Sequence, residues 1–222
     1  ERYLERKAKL QKADPDSGTD CFSNFDPVNS VEILLSGSPK ILKGDHEVYY
    51  WYRDSVITCC PRILSSMLMA LENFLYKKID EKESIDIYVQ TIYEKTTSVA
   101  MLGVLTSVGK YNLSLFKGPL LNLFSVSEIY QWDLIYNERS LSRIDFPILD
   151  EVSRKQLSEW HSMPHRKVPF YDLAVTLFLN DSNLRSAFDS YRISWEKRLA
   201  TMDSDSQDYL FLYRLIQQLR FE

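Results

Sequence analysis

Glycine, proline and cysteine are all scarce in this chain of 222 residues, which contains 6 Gly, 8 Pro and 3 Cys. A β-sandwich or barrel needs many turns, and Gly and Pro form most of them, so their scarcity favours long helices. The cysteines Cys21, Cys59 and Cys60 are too few for a disulfide framework, and an odd number suits a reducing compartment. The composition therefore favours a helical protein and excludes a small disulfide-stabilised scaffold.

Long hydrophobic runs are also missing. The chain has no run of about 18 apolar residues, as a membrane-spanning helix requires, and the charged start ERYLERKAKLQK is unlike a signal peptide. The net charge of −4 argues against nucleic acid as a partner, because binding to phosphates normally needs a basic face. We therefore expect a cytoplasmic protein without a membrane partner. Because the chain begins with Glu1 and a helical pattern runs to its end, we also expect a piece of a longer polypeptide.

Common nucleotide-binding and hydrolase motifs are absent, namely GxxxxGK[ST], GxGxxG, HExxH and GxSxG. His161 and His165 have the spacing of a metal-binding pair on a helix, but Pro164 between them would interrupt that helix. Cys59-Cys60 precedes a predicted helix start, where a thiolate would be stabilised, but no His lies nearby in sequence. We therefore predict no catalytic, cofactor-binding or metal-binding residue in this chain.

The strongest pattern lies in residues 61–108. In a helix predicted to begin at Pro61, apolar residues recur close to the 3.6-residue period. We predict that the following residues face the core, with Leu64 and Leu68 widening the buried stripe: Ile63, Met67, Ala70, Leu71, Phe74, Leu75 and Ile79. A second helical pattern at residues 98–110 contains Gly103, which costs a helix about 1 kcal/mol relative to Ala. Gly103 therefore indicates that another helix backbone approaches closely at this point.

The remaining chain consists of short helical patterns separated by breaks, giving about ten helices in all. One helix is predicted from Asp26-Pro27, an N-cap and first-turn pair, to Gly37. Residues 46–57 have nearly helical spacing, although their aromatic residues also favour strands. We predict an all-α fold, an irregular α-solenoid of the HEAT or TPR kind, with a compact helical bundle as the alternative. A weak pattern after residue 136 suggests an N-terminal helical subdomain, 1–136, and a C-terminal helical subdomain, 137–222.

Two surfaces are candidates for binding. The aromatic segment Tyr49, Tyr50, Trp51 and Tyr52 could form a protein contact, pack in the core or meet another ligand. We take it as the best candidate for a protein contact, because it has too few positive neighbours to stack on bases. A moderately basic section lies further along the chain, and we expect it to be ordinary surface. It consists of Arg139, Arg143, Arg154, Lys155, Arg166 and Lys167.

Residues 61–133 also carry a set of packing residues that resembles a known family. They are Ala70-Leu71-Glu72, Tyr76, Ser98-Val99-Ala100, Gly103-Val104-Leu105, Gly109-Lys110, Leu115-Phe116, Gly118-Pro119-Leu120 and Trp132-Asp133. This pattern resembles the helical region of large bacterial STAND-type ATPases, the NACHT-like and AVAST-like antiviral defence proteins, in which that region follows the nucleotide-binding module. Segments near Trp195 and Leu215 resemble the end of the same region, so that the resemblance covers about half of the chain.

The resemblance implies a non-catalytic scaffold or sensor module in which ATP and Mg are bound elsewhere in the parent chain. Its partner would be protein: a neighbouring domain, a second copy or a sensed foreign protein. No family site residue can be transferred, because the matching positions are structural. Two alternatives from other classes stay open. One is a helical enzyme or ligand-binding domain with a site assembled from distant residues, and the other is a nucleic-acid-binding helical array that uses the basic residues of 139–167.

Overall fold

The computed structural model of the chain describes residues 30–35, 37–53, 60–140 and 151–220, and these are mostly helical with one small two-stranded sheet. The strands are β1 (Ser30–Leu35) and β2 (Ser38–Lys43). The α-helices of these ranges are α1 (His46–Tyr49), α2 (Arg62–Asp80), α3 (Asp86–Lys95), α4 (Ala100–Tyr111), α5 (Ser127–Ser140), α6 (Glu151–Ser162), α7 (Phe170–Asn180), α8 (Ser182–Leu199) and α9 (Gln207–Gln218). Short 3-10 helices lie at Tyr50–Tyr52, Leu113–Lys117, Leu121–Ser125 and Pro164–Lys167. None of the helices described is both long and apolar enough to cross a membrane.

A β-hairpin occupies residues for which we predicted a helix. Val31 and Ile33 are buried while Glu32 between them is exposed, so the strand alternates with a period of two. The turn contains Gly37 with a φ of 78°, a conformation that glycine adopts without strain. The helix prediction is therefore wrong for β1, and the fold is mostly helical rather than all-α. The rest of that predicted helix belongs to residues 1–29, outside the described ranges.

The segment after the hairpin becomes helical because of a side-chain cap. The Asp45 carboxylate accepts hydrogen bonds from the backbone N–H groups of Glu47 and Val48, at 3.0 and 3.1 Å. These bonds satisfy amides that have no partner within the first turn of α1. Of the two structures that the sequence left open for residues 46–57, helix is the one observed at His46–Tyr49, followed directly by the 3-10 helix Tyr50–Tyr52. Residues 54–57 lie outside the described residues.

Helices α2 and α4 lie together at the centre of the core, and α4 is buried along most of its length. A Cβ atom added to Gly103 of α4 would lie 2.3 Å from the backbone oxygen of Tyr49 and 2.5 Å from the Tyr52 ring. Any side chain at this position would therefore push against a neighbouring backbone. The close helix approach that Gly103 predicted is confirmed, and the helix that approaches is α1.

Phenylalanine rings connect the two halves of the described chain. The Phe124 ring stacks on Phe170 of α7 with centroids 5.1 Å apart, and it lies 5.0 Å from Phe188 of α8. Helix α7 packs on both α5 and α8, and α9 packs on α8. One cluster of buried residues thus extends from Val31 to Leu219. The predicted subdomains 1–136 and 137–222 share this core, and their separate identity stays a prediction.

Candidate functional site

The aromatic segment that we predicted as a protein contact lies mostly inside the fold. Tyr49, Tyr50 and Tyr52 are buried, and Trp51 is half-buried against the core. The Tyr50 hydroxyl donates a hydrogen bond to the backbone carbonyl of Trp132. Three of the four aromatic side chains are therefore part of the core. A protein contact by this segment stays a prediction, and Trp51 is the member with surface available for it.

A row of apolar side chains on α2 faces solvent. Ile63, Met67 and Phe74 are 75%, 63% and 39% exposed, and Ala70 is exposed as well. Their spacing of four, three and four residues places them on one side of the helix. We call these four residues the α2 apolar face. The prediction that they point into the core is therefore wrong for the described chain.

The opposite side of α2 is the buried one, and it is partly polar. Its buried members are Ser65, Leu68, Glu72, Leu75 and Tyr76. Leu68 and Leu75 were predicted to face the core and are buried, and Leu64, Leu71 and Ile79 pack against the core, so this part of the prediction is confirmed. The hydrophobic pattern missed Ser65 and Glu72, because it assigns Ser and Glu to the surface. The signal that was present is an apolar pattern wider than one stripe, since a helix that is apolar on two sides needs two neighbours.

Glu72 and Tyr76 extend from α2 into a buried polar cluster. Arg166 Nη2 donates to Glu72 Oε1 at 2.5 Å, and the Tyr76 hydroxyl donates to the same oxygen at 2.6 Å. The Tyr76 oxygen also lies 2.8 Å from Ser107 Oγ and 2.9 Å from His165 Nε2. The Tyr76 phenol has a single hydrogen, which it donates to the Glu72 carboxylate. Ser107 must therefore donate its own hydroxyl hydrogen to the Tyr76 oxygen, and His165 must carry its ring proton on Nε2 to donate there as well.

The short 3-10 helix that begins at Pro164 contributes His165 and Arg166 to this cluster. The interruption that we predicted at Pro164 is confirmed, because α6 ends at Ser162 and the 3-10 helix follows. Arg166 in this helix is 3% exposed, and its guanidinium carbon lies 4.4 Å from the Trp160 ring centroid. An aromatic face attracts a cation at this distance. Arg166 is thus held by an ion pair on one side and by an aromatic ring on the other.

A second buried ion pair links α4, α5 and α7. Lys110 Nζ donates to both carboxylate oxygens of Asp133, at 2.9 and 2.8 Å, and the two side chains are 2% and 1% exposed. Asp133 Oδ2 also accepts the backbone N–H of Phe170, the first residue of α7, at 2.7 Å. Burial lowers the pKa of Lys110 to about 8, against the attraction of Asp133. The positive charge of Lys110 is therefore stabilised by Asp133 and destabilised by burial.

The two histidines of the sequence analysis lie beside this cluster in neutral form. Burial lowers the pKa of His161 and of His165 to about 4, and the positive charges of Arg53 and Arg166 act in the same direction. The Nε2 of His165 is already engaged with Tyr76. Across the residues that the structure describes, no three His, Cys, Asp or Glu side chains are grouped to hold a metal ion.

The other sequence candidates are placed as follows. Cys60 is buried, and burial raises the pKa of its thiol to about 11, which opposes the thiolate that a nucleophile requires. Of the basic section, Arg166 is used in the ion pair with Glu72, whereas Lys155 and Lys167 are exposed. Cys21 and Cys59 lie outside the described residues, as do Arg143 and the side chains of Arg139 and Arg154. The expectation that this section is ordinary surface is therefore wrong for Arg166, and nucleic-acid binding stays an alternative.

The polar cluster therefore joins residues up to 94 positions apart, and its groups mainly bind one another. This arrangement joins the helices inside the fold, whereas the α2 apolar face is exposed. No protein-family model matches the chain, and no curated protein is significantly similar to it. The resemblance to STAND-type ATPases stays a prediction.

Proposed function

We propose that this chain is a non-catalytic helical scaffold that packs against a neighbouring domain of its own polypeptide through the α2 apolar face. The observation that carries this proposal is the exposure of Ile63, Met67 and Phe74 along one side of a helix whose other side is already buried. Contiguous apolar surface of this kind marks protein contacts more often than single exposed apolar residues do.

The size of the face favours a tethered partner. The exposed fractions of Ile63, Met67 and Phe74 together equal a little under two complete side chains. Burying them would contribute about 3–5 kcal/mol. This is comparable with a dissociation constant near 1 mM before any cost of association is subtracted, so a free partner would not be held by this face alone. A domain on the same polypeptide has an effective concentration in the millimolar range, and for it this contact suffices.

The resemblance described above supplies the wider setting of the proposal. In that setting the chain is part of a bacterial antiviral defence ATPase of the STAND type, located in the cytoplasm, with ATP and Mg bound by another module. The mostly helical described region would be one section of an irregular α-solenoid that contacts protein at its side. The interdomain contact is the partner that the energetics favour, whereas self-association and a sensed foreign protein are outcomes for experiment to separate.

Oxidative footprinting tests this proposal directly. Met67 on the α2 apolar face is 63% exposed, whereas Met69, two residues along the same helix, is half-buried. We expect hydrogen peroxide to oxidise Met67 several-fold faster than Met69 in the isolated chain. In the natural polypeptide that contains the chain, oxidation of Met67 should slow strongly. The half-buried Met163, outside α2, serves as the reference and should react equally in both proteins.

Two results would contradict the proposal. Equal oxidation of Met67 in the isolated chain and in the natural polypeptide would show that no neighbouring domain covers this face. Sedimentation of the isolated chain as a dimer that Met67→Ser converts to a monomer would assign the face to self-association instead. We expect a monomer at micromolar concentration, because the face is too small to hold two free copies together.

A further inference from the structure

The outer edge of β1 carries outward-pointing backbone groups, and among the described residues those of Ser30 and Glu32 have no strand paired with them. The N–H of Leu34 donates to Ser125 Oγ at 3.0 Å, so it points away from β2. Alternate residues of an antiparallel strand direct their backbone groups to the same side, and the N–H and C=O of Glu32 and Ser30 therefore point outward as well. In the described chain the sheet has only β1 and β2, so no strand occupies this edge.

A groove of about 510 Å³ runs along this edge. Its far wall is the C-terminal half of α8, which contributes Ser194, Lys197 and Arg198. At the Ser30 end the groove meets a second one of about 340 Å³, whose lining includes the apolar side chains of Trp132, Ile135, Met202 and Phe211. Both grooves share the ion pair between Arg198 and Glu128, whose charged atoms are 2.5 Å apart. The edge thus leads from a polar channel into a partly apolar one.

We propose that this edge binds an extended peptide segment of a partner protein, which adds to β1 as a third, antiparallel strand. The exposed carboxylate of Glu32 favours a Lys or Arg side chain directly opposite. Two residues further along, opposite Ser30, the added strand reaches the second groove, whose lining by Trp132 and Phe211 favours an aromatic or aliphatic side chain. This surface is separate from the α2 apolar face and does not depend on the function proposed for it.

The observed groups favour a peptide of this chemistry over a second copy of the chain. Alternating N–H and C=O groups at strand spacing are matched by another extended backbone. Two copies paired through this edge about Glu32 would place the two Glu32 carboxylates opposite each other, and like charges in that position are destabilising. A basic residue removes this conflict. The occupant is therefore an extended segment with a positive charge at the centre and an apolar residue toward its C-terminal end.

Glu32→Pro provides a sharp test, because the backbone N–H of Glu32 points away from β2. Proline at this position removes one hydrogen bond to the added strand and none to β2, and proline is tolerated on edge strands. The probe is a blocked hexapeptide, Thr-Val-Lys-Val-Phe-Ser, with Thr-Val-Glu-Val-Phe-Ser as its charge-reversed control. Binding is followed by the shifts of the backbone amide signals of the ¹⁵N-labelled chain. A circular dichroism spectrum confirms that each variant is folded.

With the Lys peptide we expect saturable shifts of the backbone amide signals of Ser30 and Glu32. The Glu peptide should bind about fivefold more weakly. Glu32→Lys should reverse this order without disturbing the hairpin, which keeps the test valid even if Glu32→Pro does not fold. Glu32→Pro should weaken both peptides. Absence of saturable binding by either peptide would overturn the proposal. So would equal affinities across the Glu32 variants, or a dimer of the chain that Glu32→Pro dissociates.

Discussion

Replacing Glu72 with Gln removes a buried negative charge while keeping the size of the side chain. Glu72 is 0% exposed and accepts hydrogen bonds from both Arg166 and Tyr76. In Glu72→Gln the Arg166 guanidinium remains buried next to Trp160 without its counter-charge. Breaking a buried pair in this way costs about 3–5 kcal/mol. For a chain of 222 residues this corresponds to a fall in Tm of about 6–20 °C.

Removing both charges together should cost much less than removing one. In the double variant Glu72→Leu, Arg166→Met no charge is left without a partner, and Tyr76 still has Ser107 and His165 as neighbours. We expect a loss of about 2 kcal/mol or less, because apolar replacements of a buried ion pair are often neutral or stabilising. The matched surface control is Glu81→Gln, which breaks an exposed pair with Lys78 and should change stability by about 0.5 kcal/mol or less.

Urea unfolding followed by circular dichroism measures the free energy of unfolding of the unsubstituted chain, the three variants above and the single variants Glu72→Leu and Arg166→Met. The double variant should be more stable than Glu72→Gln. If Glu72→Gln cost no more than Glu81→Gln, the pair with Arg166 would not be desolvated as the structure has it. If the losses of the single variants Glu72→Leu and Arg166→Met simply added in the double variant, the ion pair would not be the interaction that was broken.

Three further predictions address the core, the pH dependence and the two sides of α2. Gly103→Ala should destabilise the chain by about 2 kcal/mol or more in urea unfolding despite the better helix propensity of Ala, because the new methyl group meets a neighbouring backbone carbonyl; a gain in stability would contradict this close approach. The pKa values of His161 and His165 are about 4 in the folded chain, below the ordinary value. As the pH falls, the unfolded chain therefore takes up protons before the folded chain does, and stability should be lost between about pH 6.5 and 4. The double variant His161→Gln, His165→Gln should show a smaller fall in Tm between those pH values, and an unchanged fall would refute the assignment. Leu68→Ala should cost about 2–5 kcal/mol and Met67→Ala about 0.5 kcal/mol or less in the isolated chain, and equal losses would mean that the side of α2 assigned as buried is wrong.

The sequence predicted most helices of the described chain because the signals for helices are local. The apolar period starting at Pro61 predicts α2 to within a residue or two, and the pattern of residues 170–180 coincides with α7. Periodicity, caps and breaks depend on neighbours only a few residues away. The hairpin was missed because Val31, Leu34 and Leu35 also fit a helical spacing. Short apolar runs of this kind do not separate strand from helix.

The candidate sites depended on contacts that no local pattern contains. Glu72 is buried because Arg166 reaches it from 94 residues away, and a hydrophobic pattern counts both residues as surface. The free edge of β1 likewise follows from how the hairpin lies against Ser125 and α8.

The sequence by itself determined that the chain is mostly helical and that α2 is apolar on more than one side. Only the tertiary structure decided which side of α2 is buried and which is exposed. The physical reason is that a polar side chain can be buried only where another part of the chain supplies its hydrogen bonds and counter-charge. For α2 that part is the 3-10 helix Pro164–Lys167, which packs on α4 and α6.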